Sequence, residues 1–236
     1  SVSMQSEIRN RLLASLPELE FLKLSEVLEP VDLPRGFLIV AADGVIDYVY
    51  FLCCGIGSVV TVSPDGQKAE AGMFGREGFS PTTAGVGGRS SVHEVFMQVA
   101  GHGHRVTISA FDALLPKSPT LVNLLARFIQ AFATQISYTA LCNVGYQVDE
   151  RLARWLLMCH DRVDGNEIAL TRDFISLMIG FRRPSVTTAL HVLEGKKLIW
   201  SERGRITIRD RSGLEEFAGN AYGKPEEEYR RLIGDF

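Results

Sequence analysis

Residues 179–208 read IGFRRPSVTTALHVLEGKKLIWSERGRITI, and the spacing within them sets the expected architecture. Thr171 precedes a short amphipathic run carrying Phe174, Ile175, Leu177 and Met178, and Gly180 breaks it, as a tight corner between two helices requires. A second helix follows with Val186, Ala189, Leu190 and Leu193 as its apolar stripe. Pro184 is tolerated because it falls in the first turn, where its missing N–H has no intrahelical partner. At about 100° per residue the stripe leaves Pro184, Thr188 and His191 outward, Ser185 and Thr187 on the flanks, and Arg182 and Arg183 at the start. That outer face has no bulky apolar side chain. Beyond it, LIW and RITI are short β runs around a hairpin tip that carries Arg203 and Arg205. The pattern is a winged helix-turn-helix, whose second helix enters the DNA major groove. Arg183 can donate two parallel hydrogen bonds to guanine there, while the small hydroxylated residues permit close approach and the wing arginines reach phosphate or minor groove.

The formal net charge of −3 conceals an uneven distribution. Between Arg182 and Arg211 there are eight basic residues against three acidic ones, whereas residues 212–236 have three basic and six acidic. A basic element within an acidic chain is the footprint of phosphate contact. With 236 residues and 46% hydrophobic content, the chain is long enough for two modest domains. No stretch is apolar enough for a membrane span, and Ser1-Val2-Ser3-Met4-Gln5 lacks the basic and apolar regions of a secretory signal, so a cytoplasmic location is expected. Ser1 to Ser3 read as vector-derived. Cys53, Cys54, Cys142 and Cys159 have neither metal-site spacing nor the density of a disulfide scaffold, and read as free thiols.

Upstream, FLIV, YVYFL, IGSVVTV, KAEAGMF, VHEVFMQVA and HRVTI between Phe37 and Ile108 predict six short strands of a jelly-roll-like barrel, flanked by helices over residues 5–16 and 19–28. A long helix follows. In it Leu121, Leu125, Phe128, Phe132, Gln135, Thr139, Cys142 and Tyr146 alternate at four and three residues, the seam of a coiled coil, and the first seven are the expected dimer interface. The competing reading packs this stripe on its own barrel. The expected division is 1–116 for a sensor domain, 117–146 for the long helix and 147–236 for the winged domain.

DERLARWLLMCHDR, LTRDFISLMIGFRRPSVTTAL and GRITIRDRSGLEEFA are similar to the C-terminal domain of the Crp/Fnr family of bacterial transcription regulators, and DYVYFLCCGIGSVVTVSPDGQKAEAGMFGREGF to its cyclic-nucleotide-binding-type β-roll. The resemblance spans nearly the whole chain. It implies an α+β fold: an N-terminal double-stranded β-roll, a long dimerisation helix and a C-terminal winged helix-turn-helix. It also implies a homodimer on a palindromic operator in double-stranded DNA, with Arg183 at the position of the family's base-reading arginine and RNA polymerase as a further partner. A neighbouring acidic base reader of the family falls on Pro184, so the operator sequence is left open.

Relatives that bind cyclic AMP carry a Gly-Glu pair for the ribose and an Arg-Ser pair for the phosphate. Here Gly75 is followed by Arg76, with Glu77 one place late, and Arg89-Ser90 lies beyond a longer loop. These five are the candidate ligand contacts, with residues 72–88 as a plain surface connection in the competing reading. Cyclic AMP is therefore not expected; the expected control is another anionic molecule, redox state or protein abundance. No cysteine cluster precedes Cys53, and His93, His102 and His104 lack a carboxylate or cysteine at ligand spacing, so neither iron–sulfur, haem nor another metal is expected. No hydrolase, phosphate-loop or zinc-protease motif occurs, so an enzyme is not expected. The alternative function is a small-molecule or protein-interaction module in which the β-roll is the active part and DNA binding is weak or lost.

Overall fold

The computed structural model describes residues 4–236; Ser1 to Ser3, read above as vector-derived, lie outside the described residues. Two short helices open it, α1 (Arg11–Ala14) and α2 (Glu18–Ser25). The buried Asn10 side chain caps α1 through the Leu12 and Leu13 amides and donates to the Leu52 and Gly78 carbonyls, each at 2.9 Å. One amide thus fixes the N-terminal helix to the sheet beneath it.

The roll comprises β1 (Glu29–Leu33), β2 (Leu38–Val40), β3 (Gly44–Val45), β4 (Tyr48–Val62), β5 (Lys68–Phe74), β6 (Ser90–Ser91) and β7 (Glu94–Thr107). All pairings are antiparallel. The main sheet has the order β1-β7-β4-β5 with β2 also on β7, and β3 pairs with β6. YVYFL and IGSVVTV, predicted as separate strands, are one 15-residue strand; the last two predicted strands likewise merge into one of 14 residues. The interruptions between them are bulges, with register shifts from Leu52 to Gly57. Gly55 has φ +91°, and a Cβ on Gly101 would lie 2.1 Å from the Cys54 carbonyl oxygen, so the close crossing requires glycine.

After α3 (Ile108–Leu114), helix α4 runs for 27 residues, Pro119–Gly145. The C-terminal part contains α5 (Val148–Asp161), β8 (Glu167–Ile168), α6 (Arg172–Ile179), α7 (Arg183–Gly195), β9 (Ile199–Glu202), β10 (Arg205–Ile208), α8 (Arg211–Ala218) and α9 (Lys224–Leu232). Strands β8, β10 and β9 form a three-stranded sheet in that order. The core of the winged region, built on Leu152, Trp155, Leu156, Ile175, Ala189 and Leu190, also takes in Ile56 and Met73 from the roll. The elements of the expected 147–236 block pack in two places. Its last helix, α9, leaves the wing and packs on α4, where Tyr229 joins the core of the roll.

The expected dimer seam is corrected here. Leu121, Leu125, Phe128, Phe132, Gln135, Thr139 and Cys142 are all buried within their own chain. Leu121, Leu125, Phe128 and Phe132 enter the core of the roll with Phe51, Phe74 and Phe79. The polar members have intramolecular partners: the Gln135 amide bonds both backbone groups of Met73, at 2.8 and 3.0 Å, and Thr139 accepts from the buried Arg154 at 3.2 Å. Periodicity identified which face of the helix is apolar, while the roll competes with a partner helix for that face. Phe128→Ala should therefore cost about 3–5 kcal/mol of stability in thermal or urea unfolding, with the association state of the folded protein unchanged. Unaltered stability with loss of association would return Phe128 to an intersubunit seam.

Candidate nucleic-acid interface

Thr171 caps α6 by accepting from the Phe174 amide at 3.2 Å, and α6 ends at Gly180 with φ 69°. The left-handed corner turns the chain directly into α7. Val186, Ala189, Leu190 and Leu193 are wholly buried beneath α7, holding it against α5 and α6. Its opposite face is open: Arg182, Arg183, Pro184, Thr188 and His191 are exposed, with Ser185 and Thr187 half-buried.

These residues are not equally free. The Arg183 guanidinium lies 3.4 Å from the Asp173 carboxylate with both side chains mostly in solvent, an attraction that water largely screens. Thr187 accepts from Arg172 at 2.9 Å, and Thr188 donates back to the Pro184 carbonyl at 3.0 Å. Arg182 and His191 have no side-chain partner among the described residues. In the wing, β9 and β10 pair from Arg205↔Glu202 to Ile208↔Ile199, and Gly204 turns at φ +76°. Arg203 projects freely from this turn. Arg205 pairs with Glu202 and stands 3.8 Å from Glu167, so much of its charge is compensated inside the sheet. Missed from sequence were Arg172, which orders Thr187, and Arg209, whose guanidinium lies 3.6 Å over the ring of the half-exposed Trp200. The hairpin register sets Trp200 opposite Thr207, near the base of the wing.

Four of the five candidate ligand contacts, Gly75, Arg76, Glu77 and Arg89, lie away from the cavity between the roll and α4. Glu77 is 1% exposed; its carboxylate accepts from the Gly75 amide and from buried Arg162 at 3.1 and 3.2 Å, and its carbonyl accepts from the Tyr229 hydroxyl at 2.6 Å. Arg76 pairs with Asp164 at 2.9 Å, as Arg9 does at 2.7 Å, and the two guanidiniums hold the Asp164 carboxyl below its ordinary range. Residues 75–77 therefore clamp the roll to the end of α5 and to the C-terminal helix. Arg89 points to solvent and pairs with Asp112. Ser90 borders a cavity of about 250 Å³ between the roll, residues 79–86 and α4, and Glu77 borders a much smaller one, of about 20 Å³, beneath the C-terminal helix. Glu77 falls in the turn after β5, where its carboxylate faces Arg162. His93 lines this cavity singly, and His104 lies 3.6 Å from Cys53; no cluster of three or more metal-ligating residues occurs among the described residues. No helix among them is long and apolar enough to cross a membrane.

One contact between roll and winged region carries an ionisable group. Phe96 of β7 stacks on Phe174 of α6 at 5.9 Å, and beside this contact β5 places Glu70, which is 5% exposed. Neither of its carboxyl oxygens has a hydrogen-bond partner by geometry. Burial pushes this carboxyl well above its ordinary range, and nearby Ser58 offsets little of that.

The architecture is a β-roll joined by a long helix to a winged helix-turn-helix. Residues 150–217 match the Crp-like helix-turn-helix domain. No curated protein matches the chain. Among solved structures it is similar to FixK2 from Bradyrhizobium japonicum, at 17% identity and TM-score 0.68 over 82% of this chain and 98% of that one. A transcriptional regulator of the CRP family from Thermus thermophilus is 19% identical, with TM-score 0.66 over 82% and 98%. The c-di-GMP-responsive global regulator CLP of Xanthomonas campestris is 12% identical, with TM-score 0.64 over 81% and 99%. Residues 150–217 thus carry a Crp-like helix-turn-helix domain, and the chain as a whole shares the fold of these solved regulators.

A carboxyl that holds its proton more tightly in the fold than in the free chain favours the fold at low pH. That advantage fades as pH rises from the ordinary carboxyl range toward the raised value. Glu70→Gln should thus be more stable than the wild type at about pH 8, by about 1 kcal/mol or more, and should lose less stability between about pH 5 and pH 8. Parallel pH profiles for the two proteins in urea unfolding would count against this account.

Proposed function

We propose that the chain is a homodimeric transcription regulator that reads a palindromic operator with one α7 per half-site and is not controlled by cyclic AMP. The observation that carries the reading is the one face of α4 left uncovered. Val122, Ala126, Ile129, Ala133, Ile136, Ala140 and Val144 follow one another at three or four residues. Val122 and Val144 are 39% and 86% exposed, the three alanines are exposed, and the isoleucines are half-buried. The roll occupies a second face of α4. The C-terminal segment occupies a third, bonding Arg127 through the Leu232 carbonyl at 2.7 Å and Cys142 through the Ala221 carbonyl at 3.7 Å. An apolar stripe of alternating small and branched residues on a 27-residue helix suits close packing with a second copy of itself. This stripe replaces the one expected from sequence, and twofold pairing through it gives two α7 helices the symmetry of a palindrome.

Cyclic AMP is disfavoured because the side chains that would hold its ribose and phosphate are spent elsewhere, Glu77 on Arg162 and Arg89 on Asp112. Contact with RNA polymerase and a cytoplasmic setting belong to the same proposal and rest on the shared architecture. A module with lost DNA binding is the weaker reading, since the start of α7 is open to solvent.

Binding-site selection followed by gel shifts tests the proposal. Wild type should select an inverted repeat, and Arg183→Ala should cost about 1–3 kcal/mol and relax preference at one base pair per half-site. Arg203→Ala should weaken all sequences alike and reduce the salt dependence, with Arg205→Ala milder because its charge is already paired. An unchanged motif and affinity for Arg183→Ala would contradict the proposed docking of α7.

A further inference from the structure

We propose that the groove between α8, α9 and the C-terminal part of α4 is a binding site for a free amino acid, whose ammonium pairs with Glu226 and whose carboxylate pairs with Arg230. A zwitterion takes the place of the anionic effector expected from sequence. The groove has a volume of about 530 Å³, within the usual range of small-molecule sites, about 300–1,000 Å³. Its charged lining is balanced, with Arg211, Lys224 and Arg230 against Glu215, Glu226 and Glu227, so a simple anion or a simple cation meets groups of its own sign. Most of these charges are already spent. Arg211 is held by Asp161 at 2.8 Å and the Tyr222 hydroxyl at 2.7 Å, with Glu215 at 3.7 Å, and Lys224 stands 3.5 Å from Glu227. What remains is one carboxyl and one guanidinium, on Glu226 and Arg230.

Glu226 is 4% exposed, and its Oε2 has no hydrogen-bond partner. Of the guanidiniums whose charge acts on it, Arg162 is committed to Glu77, and Arg154 to Thr139 and the Gln135 carbonyl. Burial pushes this carboxyl above its ordinary range, as it does an acid that lacks a counter-ion of its own. An ammonium supplied from the groove gains more here than beside a carboxyl in water, because the surroundings screen the attraction less. Arg230 lies one turn further along α9, a spacing at which opposite charges on a helix ordinarily meet. Its recorded ion pair is instead a loose one, 4.0 Å from Asp235, whose side chain is 96% exposed. One turn separates the two backbone positions by about 6 Å. An amino acid carries both of its charges on a single carbon and so fits between the two side-chain ends. Tyr138 of α4 and Tyr222 ahead of α9 complete the walls, so an occupant touches the long helix and, through α8, the winged region.

Thermal-shift and calorimetric titrations of the full chain with the standard L-amino acids, with the deaminated acid and the amide of the best binder, and with inorganic phosphate and spermidine test the site. At least one amino acid should raise the melting temperature saturably. Its deaminated and amidated forms, each lacking one of the two charges, should bind about tenfold more weakly or worse. Arg230→Met, at an exposed position of α9, should weaken the amino acid by about tenfold while leaving the ligand-free melting temperature unchanged. Glu226→Gln should weaken it by a similar factor. The deaminated acid should lose nothing further in Glu226→Gln, nor the amide in Arg230→Met. No response to any amino acid, an analogue that binds as tightly as its parent, or binding undiminished in Arg230→Met would each overturn the proposal. Saturable binding of phosphate or spermidine that either variant abolishes would overturn it too, in favour of a site for one sign of charge. Gel shifts without amino acid report separately on DNA binding, so failure of this site leaves the reading of α7 untouched.

Discussion

The buried ion pair between Glu77 and Arg162 is the constraint on which the arrangement of this molecule depends. Both side chains are almost wholly removed from solvent, 1% and 4% exposed. Two ions taken out of water hold together only when their remaining polar atoms are also satisfied, and here they are. Glu77 accepts from the Gly75 amide, and Arg162 donates to the Met158 carbonyl at 2.8 Å. The ring of Phe236 lies 5.1 Å from the guanidinium, and Tyr229 reaches the Glu77 carbonyl, so the end of the chain closes over the pair. One contact thereby ties the roll, the end of α5 and the C-terminal helix, and fixes where the winged region sits against the roll.

That fixed arrangement gives α4 three distinct duties. Its roll-facing side completes the core of the roll and the cavity; its second side receives α9; its third stays bare. The winged region docks through apolar contacts at Ile56, Met73 and Phe96, and through Glu70, a carboxyl with no partner by geometry. A tight ion pair and an unpartnered carboxyl thus share the same junction. The first resists separation of the two parts, and the second favours it as pH rises.

Much of the fold was legible in the sequence because local chemistry and global packing agree there. Gly180, Pro184 and the stripe Val186–Ala189–Leu190–Leu193 specify the helix-turn-helix without outside help, and the wing follows from its β-rich runs and Gly204. Legibility fails where one local pattern has two solutions in three dimensions. A heptad stripe states that a helix face is buried and leaves open whether its own roll or another copy buries it; Leu121 to Cys142 went to the roll. The bare stripe is harder to see because three of its seven positions are alanine, which contributes little to an apolar pattern. Gly55 and Gly101 resemble turn residues yet serve as bulges inside strands. Glu77 and Arg89 were read as ligand contacts through motif position, and only the fold reveals Arg162 and Asp112 as their partners.

The central claim is that two copies meet along Val122–Val144 and bind DNA in that form. Ala133 lies at the middle of this stripe and is exposed, so Ala133→Cys places a thiol where twofold-related helices should approach most closely. Mild oxidation followed by non-reducing electrophoresis and a gel shift on the selected operator measures this directly. The account predicts a disulfide-linked dimer, absent from the wild type with its three buried cysteines and half-buried Cys54, that binds the palindrome as tightly as the unlinked protein. A protein that stays monomeric on oxidation while binding the operator at full affinity, or a linked dimer that no longer binds it, would contradict the account.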